Sequence, residues 1–125
     1  MCVWPDLRSR MTEPRLIEGW ERSPEQVKAM LDAGEDFVLL DCREQAEHAV
    51  ARIEGATLLP LSQIRARLAE LAEHEERTVV VFCHAGVRSM QVAAFLREQG
   101  FEDVWSMAGG IDAWATRIDP AVGRY

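Results

Sequence analysis

Positive charge is in short supply in this chain: 14 lysines and arginines stand against 21 aspartates and glutamates, a formal net charge of −7. Without a basic patch there is nothing to neutralise phosphates, which excludes nucleic acid and an anionic membrane surface as expected partners. Cysteine and histidine are scarce too, three of each. Cys2, Cys42 and Cys83 stand far apart with no C-x-x-C pair and no histidine cluster, so neither a disulfide framework nor a metal site is implied, and no cofactor is called for. No apolar run approaches the length of about 20 residues that spans a bilayer. The start "MCVWPDLRSRM" lacks the apolar core of a secretion signal, and a cytoplasmic location is expected. Repeats and low-complexity tracts are missing as well, which excludes disorder beyond the ends.

What remains is an ordinary globular composition, 48% hydrophobic and 28% charged over 125 residues. A chain of that length buries about two-thirds of its unfolded surface as one domain. The first ten residues carry no pattern; residues 1–21 are expected to form a partly disordered N-terminal arm, with Met11 an alternative start.

"RSPEQVKAMLDAGEDFVLLDCRE" predicts a capped helix and then a buried strand. Ser23 caps, Pro24 suits the first helical position, Gln26 completes a capping box and Gly34 ends the helix. Phe37 to Leu40 form a continuous apolar run, as in a strand covered on both faces. A short helix is predicted over 44–51, then a brief strand in "ATLLPL". A helix from Ser62 is expected to bury Ile64, Leu68, Leu71 and Ala72. "TVVVFC" is the most strand-like segment of all. A helix from about Ser89 to Gly100 follows, then a strand in "EDVWSM" and a short helix after Gly109-Gly110. Alternating strands and helices define an α/β fold: a mostly parallel central sheet with helices on both faces. Ligands of such folds collect at the carboxyl ends of the strands, where Cys83 lies.

Only His84, Ala85, Gly86 and Val87 separate Cys83 from Arg88. The strand must bend sharply into the helix, with successive N–H groups turned inward as an anion nest and the helix start at Ser89 adding positive potential. With Arg88 as a permanent cation, these terms lower a thiol pKa from near 8.5 by roughly one to three units. Asp41 and Glu44, ending a neighbouring strand, oppose the shift if they face the loop. The competing reading of Cys83 as a mere core residue does not need the glycine, the arginine and the helix start together.

The loop resembles the active-site loop of the rhodanese family. "SPEQVKAMLDAGEDFVLLDCRE", "ARIEGATLLPL", "VVFCHAGVRSMQVAAFL" and "GGIDAW" match in order the landmarks of a rhodanese domain over residues 22–116, leaving 117–125 as a C-terminal tail. The resemblance implies a rhodanese-like sulfurtransferase: the Cys83 thiolate takes the outer sulfur of a small anionic donor such as thiosulfate, sulfite leaves, and a Cys83 persulfide passes the sulfur to a thiol, a protein thiol or cyanide. His84, Ala85, Gly86, Val87, Arg88 and Ser89 would then bind the substrate, Arg88 by orienting its sulfonate end and His84 at the rim. Asp41 and Arg43 are expected to pair and brace the loop. Two departures from the family pattern, Cys42 in "DCRE" for the usual "DVRE" and Ala51-Arg52 for the usual Gly-His, are expected to leave the catalytic loop untouched.

Cys42 itself reads as a small core residue, Trp105 and Trp114 as core or rim packing, and His48 and His74 as exposed. Two rivals differ in class. A phosphatase or arsenate reductase uses Cys, five residues, Arg, one more than here. A non-catalytic binding module typically lacks the cysteine.

Overall fold

The computed structural model describes residues 20–123 and 125; most of the expected N-terminal arm lies outside them. Ser23 starts the first helix, α1 (Pro24–Asp32), as predicted. Its Oγ accepts from the Gln26 N–H at 3.1 Å, and Gln26 Oε1 accepts from the Ser23 N–H at 2.8 Å. Gly34 follows with φ 67°, and the bonds Gly34 N–H to Leu31 O and Glu35 N–H to Met30 O close the helix end. The other elements are strands β1 (Glu21–Arg22), β2 (Phe37–Asp41), β3 (Thr57–Leu58), β4 (Thr78–Phe82) and β5 (Asp103–Met107), with helices α2 (Gln45–Val50), α3 (Val87–Glu98) and α4 (Gly110–Arg117).

All strand pairings are parallel, in the order β1–β5–β4–β2–β3. Glu21, at the end of the expected arm, pairs with Ser106 on β5. Central strands take part in the core on both faces, so their sequences read as unbroken apolar runs. Val38, Leu40, Val79, Val81 and Val104 meet α3 through Val92, Ala93 and Leu96. Leu39, Val80, Phe82 and Met107 meet α1 and α4 through Val27, Met30, Ile111 and Trp114 on the other side. From β2 the chain moves to one edge, through β3, and from β4 to the other, through β5. The crevice at which these directions part lies between the carboxyl ends of β2 and β4, the place where open parallel sheets bind ligands. Cys42 and Cys83 are the residues that follow those two strands.

The helix expected from Ser62 does not form. The chain winds instead as two 3₁₀ stretches, Leu61–Gln63 and Leu68–His74. Of the four positions expected to face the core, Ile64 and Leu71 are buried, Leu68 is half-buried and Ala72 is exposed. Two anchors do not make the continuous apolar stripe that holds an α-helix, and no side chain caps either stretch. His48 and His74 are half-buried rather than exposed, because each ring has a polar partner: Asp41 Oδ2 at 2.8 Å from His48 Nδ1, and Arg77 Nη1 at 2.8 Å from His74 Nδ1. Trp114 lies in the core, and Trp105 packs at its margin beneath the Arg22 guanidinium, 4.2 Å from the ring centre.

Candidate active site

The turn after β4 brings the chain back over its own sulfur. Gly86 takes φ 103°, a left-handed conformation that glycine alone adopts cheaply, and α3 begins at the next residue, two positions earlier than the sequence predicts. A Cβ on Gly86 would also press within 3.2 Å of the Gly109 nitrogen. Ser89 therefore sits in the first turn of α3, where its N–H has no helical carbonyl to bond. That N–H donates to Cys83 Sγ at 3.3 Å, and the Gly86 N–H donates to it at 3.1 Å.

Other donors complete the cradle. Ser89 Oγ lies 3.5 Å from Cys83 Sγ and 2.7 Å from the buried Ser106 Oγ on β5. The Cys42 thiol lies beside Cys83, one residue past the paired Asp41 and Phe82 and on the same face of the sheet. That thiol, then the Ser89 hydroxyl and the Ser89 and Gly86 amides, pull the Cys83 pKa down to about 5 against the opposing effect of burial. Cys42 pays no such cost in reverse: it keeps its proton, its pKa driven up by the bond to Cys83, by burial and by the adjacent negative sulfur. Of the two coupled thiols, Cys83 carries the charge because only its sulfur faces backbone N–H groups. The substitution in "DCRE" thus does reach the catalytic loop, contrary to expectation. The sequence offered no signal for it, since 40 intervening residues separate the two cysteines and only the strand order joins them.

The loop is also held from behind. The first N–H groups of α4 cap its carbonyls, Ile111 N–H to Cys83 O at 2.8 Å and Asp112 N–H to His84 O at 3.0 Å. A Cβ on Gly110 would collide with those same two oxygens. With its carbonyls tied backward, the loop turns N–H groups toward the sulfur.

Arg88 does not stand free. Its guanidinium makes a two-pronged pair with Glu47, Nη1 to Oε1 at 2.7 Å and Nη2 to Oε2 at 2.9 Å. The Arg88 bond, joined by one from the Tyr125 hydroxyl, holds the Glu47 carboxyl down at about 2. Tyr125 OH also accepts from Arg43 Nη1 at 3.0 Å. Arg43 is wholly buried and pairs with Asp41 as expected, Nε to Oδ1 at 2.9 Å and Nη2 to Oδ2 at 2.8 Å, while reaching Ala51 O at 2.5 Å. Asp41 is thus spent on Arg43 and His48, and Glu44 accepts from Ser62 Oγ at 3.0 Å. His84 is half-buried with its ring 4.5 Å from that of Tyr125, and its Nδ1 is enclosed without a hydrogen-bond partner. Ala85 and Val87 turn their side chains to solvent. Sequence reading missed Glu47, Ser106, Gly110 and Tyr125, none of which belongs to the loop.

No group of three or more potential metal ligands occurs among the described residues, and no described helix is long and apolar enough to cross a membrane. Fold and loop together define a class: a parallel α/β domain presenting one ionised thiol in a cradle of N–H groups at the switch point of its sheet. The chain belongs to the rhodanese-like domain family, whose model matches residues 23–117, and within it to the rhodanese-like sulfurtransferases. A sulfurtransferase of Allochromatium vinosum is 38% identical over 102 residues, covering 82% of this chain and 94% of that protein. "Probable adenylyltransferase/sulfurtransferase MoeZ" of Mycobacterium tuberculosis is 34% identical over 103 residues; the match covers 82% of this chain and 26% of that protein, so the chain spans about a quarter of that relative. A rhodanese-like domain protein from Staphylococcus aureus superposes with a TM-score of 0.70 at 26% identity, over 75% of this chain and 89% of that one.

Proposed function

We propose that Cys83 accepts a sulfane sulfur from a small anionic donor such as thiosulfate, holds it as a persulfide and passes it to a thiophilic acceptor: a thiol, a protein thiol or cyanide. The observation that carries this reading is the Cys83 sulfur held by the Gly86 and Ser89 amides at 3.1 and 3.3 Å, contacts that favour its ionised form. A thiolate at neutral pH is the nucleophile that attack on the donor's outer sulfur requires. Sulfite departs with the electrons of the broken S–S bond. The terminal sulfur of the persulfide keeps a negative charge, and the first-turn N–H groups of α3, which no helical carbonyl claims, stabilise it as an oxyanion hole stabilises oxygen.

Each loop residue has a part in this reading. Gly86 and Ser89 cradle the sulfur, while His84, Ala85 and Val87 shape the entrance. Arg88 turns from Glu47 toward the donor's sulfonate, and the Asp41–Arg43 pair braces the strand end from below. The acidic balance of the chain argues against nucleic acid or an anionic membrane surface as partners, so the anionic donor is drawn locally, by the loop amides and Arg88. Mass spectrometry after exposure to thiosulfate is the test. Immediately after mixing, the Cys83 peptide should gain the mass of one sulfur, cyanide added at once should remove it, and an aryl phosphate should not be hydrolysed. Phosphatase turnover without sulfur uptake would instead favour oxyanion chemistry.

A further inference from the structure

Cys42 forms no bond to sulfur in the transfer just described, yet it lies where a second thiol has most effect. Asp41 is paired with Phe82 in the β2–β4 register, so the next residues along the two strands are Cys42 and Cys83. The Cys42 N–H still bonds Phe82 O at 3.0 Å, which carries the pairing through to this point. Paired strands run about 4.7–4.9 Å apart, inside the range of about 4.4–6.8 Å between Cα atoms that a disulfide spans. Both side chains belong to the same core cluster and thus share one face of the sheet. Both residues are buried, at 0% and 1% exposure. Packing alone would be served by any small apolar side chain.

We infer that Cys42 is a resolving thiol: once Cys83 carries a sulfane sulfur, Cys42 Sγ attacks Cys83 Sγ, closes a Cys42–Cys83 disulfide and expels the terminal sulfur as hydrosulfide. This rests on the persulfide reading above. The bond formed is Sγ–Sγ, and the bond broken is that between Cys83 Sγ and its added sulfur. The added sulfur leaves with the bonding electrons, reduced from sulfane to sulfide, while the two cysteines are oxidised to the disulfide. The Cys42 proton departs on the leaving sulfur, so no external oxidant or reductant enters the step. In the resting protein the charge on Cys83 keeps Cys42 protonated. Loading moves that charge one bond outward, onto the leaving atom, and lifts the restraint. Where no acceptor arrives, the domain thus discharges its sulfur as hydrosulfide and locks, until an external thiol reductant reopens it.

The test uses the full chain without oxygen, given thiosulfate and no acceptor, followed by non-reducing tryptic mass mapping and a hydrosulfide assay. At the end of a long incubation wild type should have lost the mass of two hydrogens, linked peptides 29–43 and 78–88, and released about one equivalent of hydrosulfide per chain. Cys42→Ser and Cys42→Val should instead retain the extra sulfur on peptide 78–88 and release almost none. Wild type that keeps the sulfur on 78–88 with no cross-link, or that links 78–88 to the peptide bearing Cys2, overturns the inference while leaving sulfur transfer standing. Failure of all three proteins to take up sulfur overturns both.

Discussion

Arg88 and Glu47, 41 residues apart in sequence, meet side by side with both guanidinium prongs on both carboxylate oxygens. The one cation of the loop is therefore neutralised before any anion arrives, and the donor must compete with Glu47 for it. Glu47→Gln should release Arg88 and raise kcat/KM for thiosulfate by about three- to tenfold, whereas Arg88→Ala should lower it by about ten- to a hundredfold, as loss of a charge-assisted bond implies. Steady-state kinetics on both variants decide. A fall in the glutamine variant would mean that Glu47 positions the arginine rather than competing for it.

The same pair has a pH signature. The Glu47 carboxyl is held below its ordinary range, so its contribution to stability is fully present above an unfolded-state pKa near 4.3 and is lost as pH falls toward about 2. Acid unfolding followed by circular dichroism should begin at higher pH in Arg88→Ala than in wild type. Coincident acid transitions would show the pair to be without net effect.

Cys83 should react as a thiolate down to unusually low pH. With its pKa near 5, the rate of alkylation by iodoacetamide should be flat from neutrality to about pH 6 and fall about tenfold per unit well below pH 5. Cys83→Ser should abolish both this labelling and sulfur transfer, since an alcohol is not ionised in this range. A midpoint near the ordinary 8.5 would refute the ionised resting state.

Removing the thiol beside it should undo part of that shift. Cys42→Val deletes a hydrogen bond to a charged sulfur, worth about 1.5–3 kcal/mol, and the alkylation midpoint should rise by roughly one to two units. The sign follows from the charge: a lost donor disfavours the thiolate, so the pKa moves up. An unmoved midpoint would leave the two backbone amides as sufficient.

Gly110→Ala should damage the loop from behind. The new methyl meets the Cys83 and His84 carbonyl oxygens at a position with φ 60°, and a loss of about 1–3 kcal/mol is expected for such strain. Thermal unfolding measures it. The alkylation midpoint should rise in the same variant as the amides lose their aim, and an unaltered melting temperature would contradict the packing described here.

Much of this molecule was legible along the chain because the responsible forces are local. Ser23 and Gln26 cap across one turn, Val79 to Phe82 declare a strand covered on both faces, and the short reach from Cys83 to Ser89 obliges the chain to wrap its amides around one sulfur. Local patterns failed where burial had to supply the energy: the apolar spacing after Ser62 suggested an α-helix, but only Ile64 and Leu71 of its four apolar positions are fully buried and the segment winds as 3₁₀ turns. The partners of the reacting loop were illegible for a related reason. Cys42, Glu47, Ser106, Gly110 and Tyr125 are brought to it by strand order and helix docking, from 23 to 42 residues away in sequence from Cys83. Residue types and short spacings determine that a thiol is activated here. Which second thiol shares its proton, and which carboxylate claims its arginine, was decided only when β2 was laid beside β4, because hydrogen bonds and ion pairs form only where tertiary packing brings their partners within about 3 Å.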